Sequence, residues 1–192
     1  MEIYWLTDLP IGRLAMLRRP RGDKWLIDEV SNWHTAGLNT IVSLLELHEA
    51  KQLGLLHERL LCQAAGIEFL SFPVVDHGVP ASVREVLRFA DNLVTAICRG
   101  SAVGIHCRAG IGRSALLAAC VLSRLGVPEQ EVFPSISRAR GVGCPDTDAQ
   151  IKWFANFVRQ GEHRHNRSAQ RMYGKRQGPL PAMYPRALDA IR

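Results

Sequence analysis

The chain has 192 residues, of which 47% are hydrophobic and 7% aromatic, enough apolar material for an ordinary globular core. Its longest apolar run, 115–122, is far shorter than the roughly 18 residues that cross a membrane, so we expect no membrane span. The formal net charge is +6, and residues 161–192 hold seven Lys and Arg against two Asp and Glu, which leaves only +1 for residues 1–160.

This uneven charge predicts two parts, a folded domain over residues 1–160 and a basic, flexible tail over 161–192. The tail is rich in Gly-Pro and Pro pairs, with a weak helix left open near 184–191. A basic tail suits contact with acidic partners, but a solubilising extension is the favoured interpretation. The small net charge of the folded part predicts no nucleic-acid binding.

Hydrophobic spacing along residues 1–160 predicts an alternation of strands and helices. The predicted strands are 3–6, 14–17, 39–44, 68–72 and 102–106. The predicted helices are 24–36, 46–53, 55–65, 82–98, 113–125, 128–140 and 149–159. This alternation is typical of an α/β fold, in which a mostly parallel central sheet carries helices on both faces.

Residues 106–114 carry the strongest functional signal, reading His-Cys-Arg-Ala-Gly-Ile-Gly-Arg-Ser between a predicted strand and a predicted helix. A loop at such a junction can turn its backbone N–H groups inward, and the helix that follows adds its positive N-terminal end. Arg113 supplies a planar fork that matches two phosphate oxygens, and Cys107 lies at the centre. The segment predicts a site that binds and attacks a phosphate monoester.

The attack requires Cys107 as a thiolate, because an ordinary cysteine is ionised only to a few per cent at pH 7. A helix N-terminus, several N–H donors and a guanidinium all favour the anion. Gly110 and Gly112 allow the tight turn that an anion-binding loop needs. The alternative is a buried structural cysteine beside a helix-capping loop, which the combined pattern disfavours.

Asp76 is a candidate general acid, because the predicted strand 68–72 ends in a loop with proline and glycine on either side of this residue. The carboxyl ends of parallel strands meet at one edge of a sheet, so this loop is expected beside Cys107. General acids typically contribute about 10²–10⁴-fold in rate. Asp76 as a simple turn residue is the competing interpretation.

Residues 106–114 resemble the signature HCxxGxxR[ST] of the cysteine-dependent protein tyrosine phosphatases, and their ending is closer to the dual-specificity branch, particularly the kinase-associated and Cdc14-like phosphatases. The resemblance implies that Cys107 forms a phosphocysteine, that Asp76 protonates the leaving oxygen, and that water then hydrolyses the intermediate. It implies that His106 orients the loop and that Ser114 stabilises the departing thiolate. The residues it implies for phosphate binding are Arg108, Ala109, Gly110, Ile111, Gly112 and Arg113. It implies neither a metal ion nor an organic cofactor.

The chain departs from the tyrosine-specific members, whose Trp-Pro-Asp is absent, so the loop of Asp76 resembles the dual-specificity type. Related phosphatases carry a water-positioning glutamine near the start of a late helix, and Gln150 fits by position. Gln150 also fits a capping box, and the two interpretations stay open. Arg138 and Arg140 suit the rim of an anionic pocket, although a solvated helix end is favoured.

Five cysteines, at positions 62, 98, 107, 120 and 144, have neither metal-ligand spacing nor a disulfide framework. Together with the reactive thiolate, this predicts a reducing compartment, the cytoplasm. Cys144 trapping an oxidised Cys107 as a disulfide is a minor hypothesis.

The leading prediction is a phosphatase acting on phosphotyrosine, and also on phosphoserine or phosphothreonine, in a protein or peptide. One alternative is a phosphatase of a non-protein phosphate, either a phosphoinositide or a nucleotide. The other is a phosphate-binding module without turnover. Pocket depth, oligomeric state and the physiological substrate are not predicted.

Overall fold

A five-stranded sheet organises the chain in the computed structural model, which describes residues 2–8 and 12–173. The strands in chain order are β1 Ile3–Asp8, β2 Arg13–Leu17, β3 Thr40–Ser43, β4 Glu68–Ser71 and β5 Ala102–His106. They lie side by side in the order β1-β2-β5-β3-β4, and only β1 runs antiparallel to its neighbour. The predicted mostly parallel sheet is therefore confirmed.

Helices cover both faces of the sheet, as predicted. They are α1 Leu26–Thr35, α2 Leu47–Gln52, α3 Glu58–Ala64, α4 Val83–Cys98, α5 Arg113–Arg124, α6 Glu129–Arg140 and α7 Asp148–Tyr173. One buried cluster joins α4, α5, α6 and α7, and a second contains the buried residues of α1 and α3. Helix α5 lies in the middle of the first cluster and is buried from Arg113 to Leu122. No helix within the described residues is long and apolar enough to span a membrane.

The register of the parallel strands brings their carboxyl ends to one edge. Leu17 of β2 and Ser43 of β3 both pair with His106 of β5. The segments that follow the three strands therefore leave the sheet together. The loop that begins at Cys107 is the central one of the three.

Helix boundaries agree with the predicted ones to within a few residues, except at the end of α7. The Ser82 hydroxyl accepts the N–H of Glu85 at 3.3 Å, which confirms the predicted start of α4. Helix α7 continues to Tyr173 instead of ending near residue 159. Each residue added to an existing helix gains a backbone hydrogen bond, so a polar sequence can extend it. The predicted tail therefore begins inside a helix, and the open helix at 184–191 lies outside the described residues.

Candidate active site

The loop from Cys107 to Gly112 joins the buried strand β5 to the N-terminus of α5. Gly110 has φ +68, and a Cβ on it would lie 2.5 Å from the carbonyl oxygen of Leu17. Both the positive φ and this close approach to the β2 backbone require glycine here. The Arg19 N–H donates to the carbonyl of Arg108 at 3.4 Å, which ties the first turn of the loop to the chain beyond β2. The predicted loop is thus present, held against the neighbouring strand.

Cys107 lies at the inner end of this loop and is only 3% exposed. Its Sγ is 3.4 Å from the Oγ of Ser114, in the first turn of α5. A thiolate can only accept, so with ionised Cys107 the Ser114 hydroxyl is the donor. The arrangement places a hydroxyl donor and the N-terminus of α5 beside the sulfur.

The guanidinium of Arg113 is 3% exposed and is held from one side. Its two terminal nitrogens donate to the carboxylate of Glu49 at 2.7 and 3.0 Å, and one of them also donates to the carbonyl of Val74 at 2.9 Å. Arginine has five N–H donors, so these bonds leave Nε–H and one terminal N–H on the opposite edge. That edge has the geometry of a fork that can bind two oxygens of a phosphate group.

Burial and charge shift the pKa values of Arg113 and Glu49 in opposite directions. Burial on its own would lower the pKa of Arg113, but the hydrogen bond to Glu49 and the charges of Cys107, Glu49 and Asp76 raise it. Burial would raise the pKa of Glu49, but the hydrogen bonds from Arg113 and from the N–H of Glu46 lower it below 4.5. Both groups are therefore charged at neutral pH.

Asp76 lies at the mouth of the site, as the sequence predicts. Its Oδ1 is 2.8 Å from a terminal nitrogen of Arg113, and its side chain is 44% exposed. The N–H of His77 donates to the same oxygen at 3.1 Å. A carboxyl group beside the phosphate fork and open to solvent can reach the leaving oxygen of a bound phosphate ester.

His106 lies beneath the loop, fully buried at the end of β5. Its Nδ1 is 3.3 Å from the carbonyl oxygen of Cys107. Its Nε2 is 2.9 Å from Oε1 of the buried Glu58, although the two are not aligned as a hydrogen bond. The imidazole is thus fixed between α3 and the start of the loop, consistent with an orienting role.

Arg140 contacts the loop from outside, where the sequence favoured a solvated helix end. Its Nε donates to the carbonyl of Gly110 at 2.8 Å, and its terminal nitrogen to that of Ala109 at 3.2 Å. Its guanidinium carbon lies 4.1 Å from the ring centre of Tyr4 in β1. The favoured interpretation was therefore wrong for Arg140, whereas Arg138 is exposed, as that interpretation requires.

The structure separates the two interpretations of Gln150. The Gln150 N–H donates to the Thr147 hydroxyl at 3.3 Å, but its side-chain Nε2 donates to the carbonyl of Gly78 at 3.1 Å. The side chain does not turn back to the helix start, so the capping-box alternative is contradicted, and the water-positioning alternative stays a prediction. Gln150 is fully buried and ties α7 to the loop of Asp76.

The remaining predicted loop residues differ in exposure. Arg108 and Ala109 are exposed, Gly110 and Gly112 are buried, and Ile111 is intermediate. Cys144 is buried in the same apolar cluster as Cys107, and burial raises the pKa of its thiol. Disulfide trapping by Cys144 stays a prediction.

The sequence did not identify Glu49 and Glu58 as parts of the site. Glu49 forms a capping box with Glu46 at the start of α2, a pattern usually recognised by a Ser or Thr in the first position. Glu58 is the first residue of α3, and its sequence context is the same as that of an exposed acidic residue at the start of a helix. Burial and distance, which only the fold supplies, mark both as partners of the loop.

An α/β sheet with a Cys-x5-Arg loop at the carboxyl edge of its central strand defines a phosphate-binding cysteine site. A family model described as a polymorphic toxin system DSP-PTPase phosphatase matches residues 15–127, more than half of the chain. The chain therefore belongs to this family of DSP-PTPase phosphatases. The suspected dual-specificity branch of the protein tyrosine phosphatases is thus confirmed.

Two curated relatives illustrate the range of similarity. Over 165 residues the chain is 27% identical to the zebrafish (Danio rerio) protein tyrosine phosphatase domain-containing protein 1, covering 80% of this chain and 22% of the relative. Over 101 residues it is 33% identical to the human cyclin-dependent kinase inhibitor 3, covering 50% of this chain and 46% of the relative. The chain therefore spans less than half the length of either relative.

Solved structures agree on the fold. A kinase associated phosphatase with serine in place of its catalytic cysteine superposes with a TM-score of 0.76 at 22% identity, covering 84% of this chain and 96% of that one. PTPMT1 superposes with a TM-score of 0.70 at 18% identity, covering 86% and 99%. At these identities the likeness establishes the architecture.

Proposed function

We propose that this chain is a cysteine-dependent phosphatase that hydrolyses phosphotyrosine, and also phosphoserine or phosphothreonine, in proteins through a phosphocysteine intermediate. The observation that carries the proposal is the edge of Arg113 that its bonds to Glu49 and Val74 leave unused, where the candidate acid Asp76 lies 2.8 Å from a terminal nitrogen, at the end of the loop that begins with Cys107. A phosphate seated on that fork and on the loop amides has its phosphorus facing the sulfur. Family membership supports the same reaction.

The reaction proceeds in two displacements. Cys107 Sγ attacks phosphorus, the bond to the leaving oxygen breaks, and that oxygen takes the proton of Asp76. The loop N–H groups, Arg113 and the N-terminus of α5 stabilise the charge of the transition state. Water then displaces the sulfur, phosphate leaves, and the Ser114 hydroxyl stabilises the thiolate that forms.

The direct test is hydrolysis of p-nitrophenyl phosphate by the purified chain in the presence of a metal chelator. Cys107→Ser is expected to abolish turnover because an alcohol is far less acidic than a thiol. Cys98→Ser is the matched control, since Cys98 is half-buried in α4 on another part of the chain. Full activity of Cys107→Ser would reject the mechanism.

The acid is tested with a series of aryl phosphates whose leaving groups differ in basicity. Asp76→Asn is expected to lower kcat by about 10²–10⁴-fold for basic leaving groups and less for acidic ones, which need no protonation. Asp28→Asn, an exposed carboxylate in the first turn of α1, is the control. A loss independent of the leaving group would assign the acid to another residue.

Substrate class is tested by a panel of phosphotyrosine, phosphoserine and phosphothreonine peptides, with soluble inositol phosphates as the non-protein arm. We expect phosphotyrosine peptides to be the preferred substrates. The need for a free thiolate also leads us to propose a reducing compartment, the cytoplasm.

A further inference from the structure

Asp146 faces the phosphate loop from the segment between α6 and α7. If Gly112 carried a Cβ, this atom would lie 2.0 Å from Oδ1 and 2.5 Å from Cγ of Asp146. The carboxylate is therefore packed against the last loop residue before α5. Only a glycine at position 112 leaves room for it in this position.

Helix capping does not explain this placement. Thr147, not Asp146, supplies the hydroxyl that accepts the N–H of Gln150 at the start of α7. Within the described residues, the ion-pair partner of Asp146 is His77, whose Nδ1 lies 3.4 Å from Oδ2. The Asp146 side chain is 31% exposed, so water reaches it.

His77 connects Asp146 to the general acid. Its Nδ1 is directed to Asp146, and its Nε2 lies 4.0 Å from Oδ2 of Asp76. The two carboxylates thus come from different loops and approach the same imidazole at the mouth of the site. Both carboxylates are partly exposed, at 44% for Asp76 and 31% for Asp146, so water reaches both.

Gln150, the sequence candidate for handling this water, is poorly placed to do so. The residue is fully buried, and its Oε1 has almost no exposed surface. Its amide nitrogen is already bonded to Gly78. The Asp146 carboxylate is therefore more accessible to an incoming water than the buried Gln150 amide.

We propose that Asp146 binds and orients the water that hydrolyses the phosphocysteine. This inference rests on the proposed function and concerns its second displacement. One O–H of the water donates to Asp146, which directs the oxygen at phosphorus. As the O–P bond forms, the S–P bond breaks and its electron pair returns to Cys107; the second proton of the water passes to Asp76, which lost its own proton in the first displacement.

The test separates the two displacements by rapid-quench kinetics with p-nitrophenyl phosphate. Asp146→Ala is expected to release one equivalent of nitrophenol in a normal burst and then turn over up to about 100-fold more slowly, because the water is no longer aimed. The phosphocysteine is expected to accumulate and be detected by mass spectrometry of the quenched protein. Asp146→Asn keeps an oxygen acceptor and is expected to stay within about threefold of the wild type, since the geometry is retained.

Asp148→Ala is the matched control, an exposed acid two residues further on in the first turn of α7. Thermal melts verify that each variant is folded. The inference is overturned if Asp146→Ala turns over normally, if its burst slows as much as its steady state, or if Asp146→Asn is as slow as Asp146→Ala. Absence of nitrophenol release by the wild type would overturn the proposed function and this inference together.

Discussion

Arg140 joins three elements through one side chain. It lies in the last turn of α6, stacks on Tyr4 of β1 and donates to two carbonyl groups of the phosphate loop. Because the carbonyls of Ala109 and Gly110 are turned toward this guanidinium, we expect the neighbouring N–H groups to face a bound phosphate. Arg140 is thus a positioning residue that holds the loop in its binding conformation.

Arg140→Gln is expected to raise the inhibition constant of orthovanadate by about 10- to 100-fold, since hydrogen bonds to charged groups contribute about 1.5–3 kcal/mol each. The inhibition constant is measured against p-nitrophenyl phosphate. Arg138→Gln is the control, because Arg138 is exposed on the same helix two residues away. An equal effect of both substitutions would mean that general positive charge, and not loop geometry, governs binding.

Sequence patterns could predict the candidate catalytic residues but not the residues that hold them in position. Cys107, Arg113 and Asp76 stand out because their chemistry requires those residue types at a strand end or a helix start. Arg140 and Glu58 are recognised as supports only from their distances to the loop and to His106, because their local sequence does not differ from that of a solvated helix residue. The place of Asp146 could not be predicted, since its approach to Gly112 depends on how two loops pack.

At the scale of elements, one ion pair fastens the short helix α2 to the long helix α5. Glu49 and Arg113 are both nearly inaccessible to water and share two hydrogen bonds. Removing one partner of a buried ion pair typically costs about 3–5 kcal/mol, because the other charge is left uncompensated. The bonds also fix the other edge of Arg113, whose terminal nitrogen lies 2.8 Å from Asp76.

Glu49→Gln is expected to destabilise the protein by about 3–5 kcal/mol at neutral pH. The pKa of Glu49 is lowered in the folded state, so its contribution is complete above its ordinary value of 4.5 and is lost as pH falls through the lower folded value. The difference between the variant and the wild type should therefore shrink below about pH 4.5. Urea unfolding of both proteins at pH 7 and at pH 4 measures this difference in the free energy of unfolding. A difference that is independent of pH would contradict the role of the Glu49 charge.

Element positions were largely predictable because strands and helices here follow their simplest patterns. Strand β5 was predicted with its exact bounds, since a short apolar run before a glycine-rich loop permits few alternatives. Helix α7 was predicted too short because Gly161, a residue type that often ends helices, lies within it. The Glu46–Glu49 capping box of α2 was missed because its first residue is glutamate.

At the scale of the whole molecule, the site depends on both helical layers. Arg113, Ser114 and Arg140 come from the layer of α5 and α6, whereas Glu58 reaches His106 from α3 on the other face. His106 also packs with its ring centre 6.1 Å from that of Trp33, which is fully buried in α1. Loss of either layer therefore removes a support of the loop.

Trp33→Ala is expected to lower the midpoint of thermal unfolding by about 6–20 °C, because truncating a buried Trp costs about 3–5 kcal/mol in a domain of this size. Trp25→Ala, at a 46% exposed position just before α1, is the control and should shift the midpoint far less. Circular dichroism and residual hydrolysis of p-nitrophenyl phosphate are followed on the same samples. We expect the two thermal transitions to coincide, because helices on both faces of the sheet support the loop and unfold as one cooperative unit. If activity disappeared well below the melting of the helices, the loop would be an independent, less stable unit, and the two layers would not jointly support it.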